Sequence, residues 1–195
     1  MTGPRSAAAG RIRIIGGTLR NSRLHVPELP GLRPTPERVR ETLFNWLAPT
    51  LAGVRALDLC AGTGALGIEA LSRGAAAVQF VESDARAAQA LRDNLARLKV
   101  GGSQLAVGDA ARFLQGTPQA YGLVFLDPPF AADLWSALAR QLEQGGWLTA
   151  SAWIYVESPR QYAPALPPNW AVHRHGQAGE VGYALYRRDA SRSLS

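Results

Sequence analysis

The sequence predicts an α/β protein, a doubly wound and mostly parallel sheet of seven strands, extended at its N-terminus by a small β-hairpin. Three observations carry this expectation. From residue 54 onward short apolar runs alternate with helix-period segments, the pattern of βαβ crossovers in a parallel sheet covered on both faces. The last two apolar runs follow one another with no helix between them, so they form an antiparallel pair at one sheet edge. Ahead of residue 54 the chain changes character, and arginines alternate with β-branched residues. At 195 residues, with 47% hydrophobic and 18% charged, it is sized for one domain with a substantial core. Disorder or a coiled coil over the whole chain is excluded.

Residues 1–10 are rich in Ala, Gly, Ser and Pro and are expected to fray, as is the tail 189–195. Residues 11–30 form the basic hairpin: Arg11 to Ile14 and Arg23 to Val26 are its strands, and Gly16-Gly17 with Asn21-Ser22 supply turn chemistry. Pro27 to Pro36 is a loop with four prolines. Thr35 is expected to cap a helix whose first position is Pro36 and whose apolar side carries Val39, Leu43, Phe44, Trp46 and Leu47. Residues 31–188 form the main domain. Within it Val54 to Leu59, Val78 to Val81, Leu105 to Val107, Leu123 to Leu126 and Trp153 to Val156 read as buried parallel strands. Helical patterns at Leu66 to Leu71, Ala85 to Leu98, Ala110 to Leu114 and Leu134 to Leu142 separate them, and Trp170 to His173 with Val181 to Tyr186 make the edge pair.

Charge is distributed unevenly. The first 40 residues hold eight arginines against two glutamates, the whole of the net +6, while the remaining 155 residues hold 13 basic and 13 acidic side chains. A neutral body with a basic extension reads as a folded module plus a docking surface for a polyanion. The plain alternative is a solvated arginine face. No apolar run approaches the ~20 residues of a membrane-spanning helix, and the N-terminus lacks a secretory apolar stretch. A cytoplasmic protein without membrane contact is therefore expected; separately, the chain is expected to be a monomer. The single cysteine, Cys60, can form neither an internal disulfide nor a cysteine-built zinc site, and no metal is expected.

Four acidic positions fall at predicted strand ends, where open α/β sheets bind ligands. Asp58 precedes the glycine loop of Gly62 and Gly64, with Gly67 in the following helix. Glycines there permit positive φ and close approach of backbone to ligand. An acid at the end of that strand would repel a pyrophosphate and suit a cationic amine or sulfonium. Glu82 ends the next strand and can accept both hydroxyl protons of a ribose. Asp84 needs no role beyond capping the next helix. Asp109 with Ala110 can meet an adenine amine and ring nitrogen, although Asp109 could equally serve only as a helix cap. The most specific motif is Asp127-Pro128-Pro129-Phe130. Two prolines make a rigid loop of acceptors, and the ring after them can stack on a planar, amino-bearing base.

With these residues in view the chain resembles the class I S-adenosylmethionine-dependent methyltransferases. More narrowly it resembles the bacterial small-subunit (16S) ribosomal RNA guanine-N2 methyltransferases. The resemblance runs from about Arg11 to Arg188. It rests on the Ile-Gly-Gly opening, the block Leu32 to Leu47, Asp58 to Gly67, Asp127 to Phe130, and Ile154 to Glu157. Cys60 and Thr63 stand where the family more often has Phe and Ser, and His173-Arg174-His175 stands in a stretch usually richer in lysine. The resemblance implies a Rossmann-like methyltransferase domain with S-adenosylmethionine as cofactor. Asp58, Gly62 and Gly64 would hold its methionine end, Glu82 its ribose, and Asp109 with Ala110 its adenine. Asp127, Pro128, Pro129 and Phe130 would present the base. Ribosomal RNA, free or in an assembling small subunit, would dock on Arg11, Arg13, Arg20, Arg33, Arg38 and Arg40. A DNA adenine-N6 methyltransferase, a protein-glutamine methyltransferase and a non-catalytic RNA-binding assembly factor are the competing readings.

Overall fold

The computed structural model describes residues 10–32 and 34–191. The expectations for the first nine residues, for Arg33 and for residues 192–195 lie outside the described residues. Strands β1 (Gly10–Arg13) and β2 (Arg23–Val26) pair antiparallel, with Arg11 opposite His25 and Arg13 opposite Arg23. The period-two alternation decides which side faces in: Ile12, Ile14, Leu24 and Val26 are buried. Between the strands Asn21 takes φ +68°, a left-handed turn conformation that asparagine tolerates.

Helix α1 (Glu37–Leu47) buries Val39, Leu43, Phe44 and Leu47 as its periodicity predicts. Its start differs from expectation. Pro36 occupies the N-cap position and no side chain caps the helix. The Thr35 hydroxyl instead donates across the molecule to Glu157 Oε1 at 2.8 Å.

The main sheet contains β3 (Arg55–Asp58), β4 (Ala77–Glu82), β5 (Ser103–Val107), β6 (Tyr121–Leu126), β7 (Leu148–Pro159), β8 (Trp170–Ala178) and β9 (Val181–Arg188). Their spatial order is β5-β4-β3-β6-β7-β9-β8. The five strands from β5 to β7 run parallel, and β9 pairs antiparallel with both β7 and β8. Helices α2 (Ala65–Ser72), α3 (Ala85–Arg97), α4 (Ala110–Phe113) and α5 (Trp135–Gln144) connect the parallel strands. Strand β7 begins five residues before the expected Trp153, and β8 runs five residues beyond His173. Polar and small residues such as Ser151 and Gly176 hide strand character at those ends. Asp189 and Ala190, expected in a frayed tail, donate backbone hydrogen bonds to Asn169 O and Ala150 O.

Alternate residues of each central strand feed two cores. Ala56, Phe80, Leu123, Phe125 and Tyr155 face the hairpin, α1, α2 and α3. Leu57, Val81, Val124, Leu126 and Ile154 face α4 and α5, with Trp135, Leu138, Leu142 and Trp147 packed against them. Strands buried on both faces explain the continuous apolar runs in the sequence.

The hairpin is not a loose arm. Glu69 on α2 is fully buried and accepts from the backbone N–H groups of Ile15 and Gly16, both at 2.8 Å. It also pairs with Arg40 at 3.4 Å and Arg73 at 2.7 Å. Ser72 Oγ accepts from Leu19 N–H, and Asn94 on α3 exchanges two hydrogen bonds with the His25 backbone. No helix among the described residues is long and apolar enough to cross a membrane.

Candidate active site

The parallel strands end together, so their final residues line one rim. Asp58 closes β3 at 3% exposure, and its Oδ2 accepts from the Gly67 N–H at 3.0 Å. Burial pushes this carboxyl up to about 7, opposed by the Gly67 hydrogen bond and helped by the nearby Glu82 charge. Gly62 and Gly64 lie at φ +52° and +74°, in the left-handed region. A Cβ on Gly64 would also stand 2.3 Å from Leu91 Cδ1, so both the turn and the packing of α3 require glycine there.

Glu82 ends β4 and ties the rim together. Its Oε2 accepts from Gly62 N–H at 2.6 Å and its Oε1 from Asp84 N–H at 2.8 Å. Asp84 caps α3 through the N–H groups of Arg86 and Ala87. Asp109 is exposed and caps α4 through Oδ1 and the Arg112 N–H at 2.9 Å, with Ala110 buried behind it. Glu82 thus holds one end of the glycine loop at Gly62 and Asp58 holds Gly67 beyond its other end, while Asp109 stands on the same rim after β5.

Asp127 follows β6 directly. The register places Leu126 opposite Val156, so Asp127 and Glu157 are the next neighbours on adjacent parallel strands. Burial raises the Asp127 carboxyl well above the ordinary range, and the charges of Glu157 and Asp58 push the same way. Glu157 is 4% exposed and accepts at Oε1 from Thr35 Oγ1 and Tyr155 Oη, both at 2.8 Å. Pro128 is buried and Pro129 extended, which delivers Phe130 to a short 3-10 turn. The Phe130 ring is 40% exposed and lies 5.7 Å from the Trp135 ring. Trp135 is itself fixed by donating to the Glu157 carbonyl at 2.6 Å. One exposed ring on a buried aromatic base, beside a carboxylate, offers a face on which a planar base that carries an amine could stack.

Sequence reasoning missed Glu157 and Thr35 as parts of this site. Both sat in noted blocks, but their meeting across 122 positions depends on tertiary packing. The available signal was an acid at the end of an apolar strand, the criterion that singled out Asp58, Glu82 and Asp127.

The basic surface is partly rearranged. Arg11, Arg13, Arg20 and Arg38 are exposed. Arg13 forms an ion pair with Glu37, which brings the hairpin face to the start of α1. Arg40 must be corrected, since at 1% exposure it cannot reach a phosphate on that surface. Its guanidinium is consumed by Glu69, the Arg13 carbonyl and the Thr35 carbonyl, because Arg40 falls on the buried side of α1 beside Val39 and Leu43. Arg23 and His25 were overlooked. By register they stand opposite Arg13 and Arg11 on the outward face, giving two cross-strand pairs of basic side chains.

A doubly wound sheet of this strand order, with a glycine loop after its first parallel strand and acids along the rim, defines a class I methyltransferase fold. The chain belongs to the family described as Conserved hypothetical protein 95, whose family model matches residues 12–187. It is 49% identical to Ribosomal RNA small subunit methyltransferase D of Escherichia coli (strain K12), over 97% of this chain and 96% of that protein. It is 42% identical to the protein of the same name from Haemophilus influenzae, over 92% and 95% of the two chains. The solved structure of Escherichia coli yhhF superposes with a TM-score of 0.86 at 46% identity, covering 93% of this chain and 99% of that one.

Proposed function

We propose that this protein transfers a methyl group from S-adenosylmethionine to the exocyclic N2 of a guanine in 16S ribosomal RNA. The observation that carries the reading is the adjacency of two half-sites on one rim: the Asp58, Gly62 and Glu82 group, and the Asp127 to Phe130 platform. The donor set suits the cofactor. Asp58 keeps Oδ1 for an ammonium group while Oδ2 holds the Gly67 N–H. Glu82 keeps acceptor capacity for ribose hydroxyls after its two backbone bonds. When bound, the cofactor supplies an electrophilic methyl on a sulfonium.

The chain's own residues prepare the amine. Guanine N2 is a poor nucleophile because its lone pair is delocalised into the ring. Hydrogen bonds from N2 to the Asp127 carboxylate and a proline-loop carbonyl favour pyramidalisation, while Phe130 holds the ring in line. Arg11, Arg20, Arg23 and Arg38 would grip phosphates around a guanine that must leave its stack. Ribosomal RNA as the substrate is supported by the names of the relatives, which match over nearly their full length.

The test is incubation with labelled cofactor and, separately, small-subunit ribosomal RNA, DNA and a glutamine-bearing peptide. Label is expected in the RNA. Label in DNA would select the adenine methyltransferase reading, and label in the peptide the amide reading.

A further inference from the structure

Resting on the reading of RNA as the substrate, we propose that the sheet extension made by β7, β9 and β8 carries a second RNA-docking surface. On it Arg174 and Arg187 grip phosphates of a single-stranded segment flanking the target guanine, and Trp153 holds Arg187 in place.

Three observations carry it. The first is a register shift. Strand β8 pairs Val172 with Tyr186 and Arg174 with Leu185, so His173 is an extra residue with no partner on β9. This bulge breaks the alternation of β8 and turns Arg174 to the face that carries Trp153, Leu185 and Arg187. In a regular strand Arg174 would point to the opposite face. The second is an ordered group of side chains on that face. The Arg187 guanidinium carbon lies 5.6 Å from the Trp153 ring centroid, and the His173 ring meets the same ring in an edge arrangement at 4.9 Å. Trp153 is half-buried against the core, while His173, Arg174 and Arg187 are exposed. A cation held on an aromatic ring has already given up part of its freedom, so less is lost when a phosphate arrives. The third observation is charge. Residues 170–188 hold three arginines and two histidines against one glutamate. Arg188 is consumed by Glu143 at 2.7 Å, but among the described residues no ion pair ties Arg174 or Arg187 to a carboxylate.

The surface also lies within reach of the site. Helix α1 covers this face at Tyr183, on which Trp46 stacks at 5.7 Å, and the Trp153–Arg187 pair lies four residue pairs farther along the strands. Trp153 precedes Glu157 by four residues, about 13 Å along β7. A strand whose guanine sits at the Asp127 rim therefore meets Arg174 and Arg187 a few nucleotides away.

Arg174→Ala combined with Arg187→Ala should flatten the log–log salt slope of single-stranded RNA binding by about 1.4, two contacts at roughly 0.7 each. KM for small-subunit ribosomal RNA should rise about 5-fold to 50-fold, with kcat and cofactor affinity unchanged. Trp153→Leu keeps both charges, so its slope should match wild type while affinity falls about 2-fold to 5-fold, and most of that loss should disappear in an Arg187→Ala background. Arg92→Ala combined with Arg140→Ala removes the same charge from exposed positions on α3 and α5 and should leave slope and KM unchanged. Thermal unfolding checks that each variant is folded.

A folded Arg174→Ala, Arg187→Ala protein with the wild-type slope would show a merely solvated face and overturn the surface, as would an equal flattening in the Arg92→Ala, Arg140→Ala control. A Trp153→Leu loss that persists in full without Arg187 would overturn the part given to Trp153. Wild-type protein that methylates DNA or peptide but not ribosomal RNA would overturn the substrate reading and the surface with it. Methylated RNA beside an unaltered Arg174→Ala, Arg187→Ala protein would overturn the surface alone.

Discussion

At the residue scale, the proposed cofactor role of Asp58 implies a trade of stability for binding. Its folded-state carboxyl lies at about 7, above its ordinary value, because it is buried. The protonated form therefore favours the folded state, and that contribution is complete below the ordinary carboxylate range and lost as pH rises through about 7. Asp58→Asn should thus be more stable than wild type at about pH 8, on the order of 1 to 3 kcal/mol, with the difference shrinking toward about pH 5. Denaturant titrations at both pH values check this. The same variant should bind S-adenosylmethionine at least about tenfold more weakly, since a neutral amide replaces the partner of an ammonium group. In the wild type, affinity should weaken as pH falls below the Asp58 value, measurable by calorimetry. Unchanged affinity in Asp58→Asn would remove this acid from the cofactor site.

The N-terminal hairpin owes its position to α2 and α3, and Glu69 is the centre of that attachment. Its carboxylate is fully buried and its partner Arg40 nearly so, so removing its charge leaves the Arg40 guanidinium buried without its counter-ion. Glu69→Gln should cost about 3 to 5 kcal/mol and speed proteolysis between residues 10 and 32, read by denaturation and by fragment mapping. Wild-type cleavage rates in a folded variant would show that the buried strand side chains alone hold the hairpin. The hairpin strands were legible from alternation in the sequence, because period two is a local property. Its docking was not legible, since Glu69 reads as one polar residue on an apolar helix until Ile15 and Gly16 arrive from 53 or more positions away. Arg40 misled for the same reason. The sequence reading set Arg40 beside Arg38 on the docking surface, and only the Glu69 partner makes a buried guanidinium there tolerable.

Across the whole molecule, hydrogen bonds run from Glu69 beneath the hairpin through Arg40 and Thr35 to Glu157 at the sheet rim, and the proposed function puts RNA docking at the first of these places and chemistry at the second. The sheet and the carboxylates of its rim were legible because buried strands announce themselves as apolar runs and their last residues follow directly. The register that pairs Asp127 with Glu157 was not, because no local pattern encodes which strand lies next to which. Separation of the two places predicts that neutralising Arg11, Arg20 and Arg23 together flattens the salt dependence of single-stranded RNA binding by about two in log–log slope. Cofactor affinity should not change, and an unchanged slope would move the docking surface away from the hairpin. The most direct measurement of the central claim is nucleoside analysis of small-subunit ribosomal RNA after incubation with the protein and cofactor. N2-methylguanosine should appear with the wild type and be absent with folded, cofactor-binding Asp127→Ala. A methyl group on any other atom, or an undiminished yield from Asp127→Ala, would contradict the account.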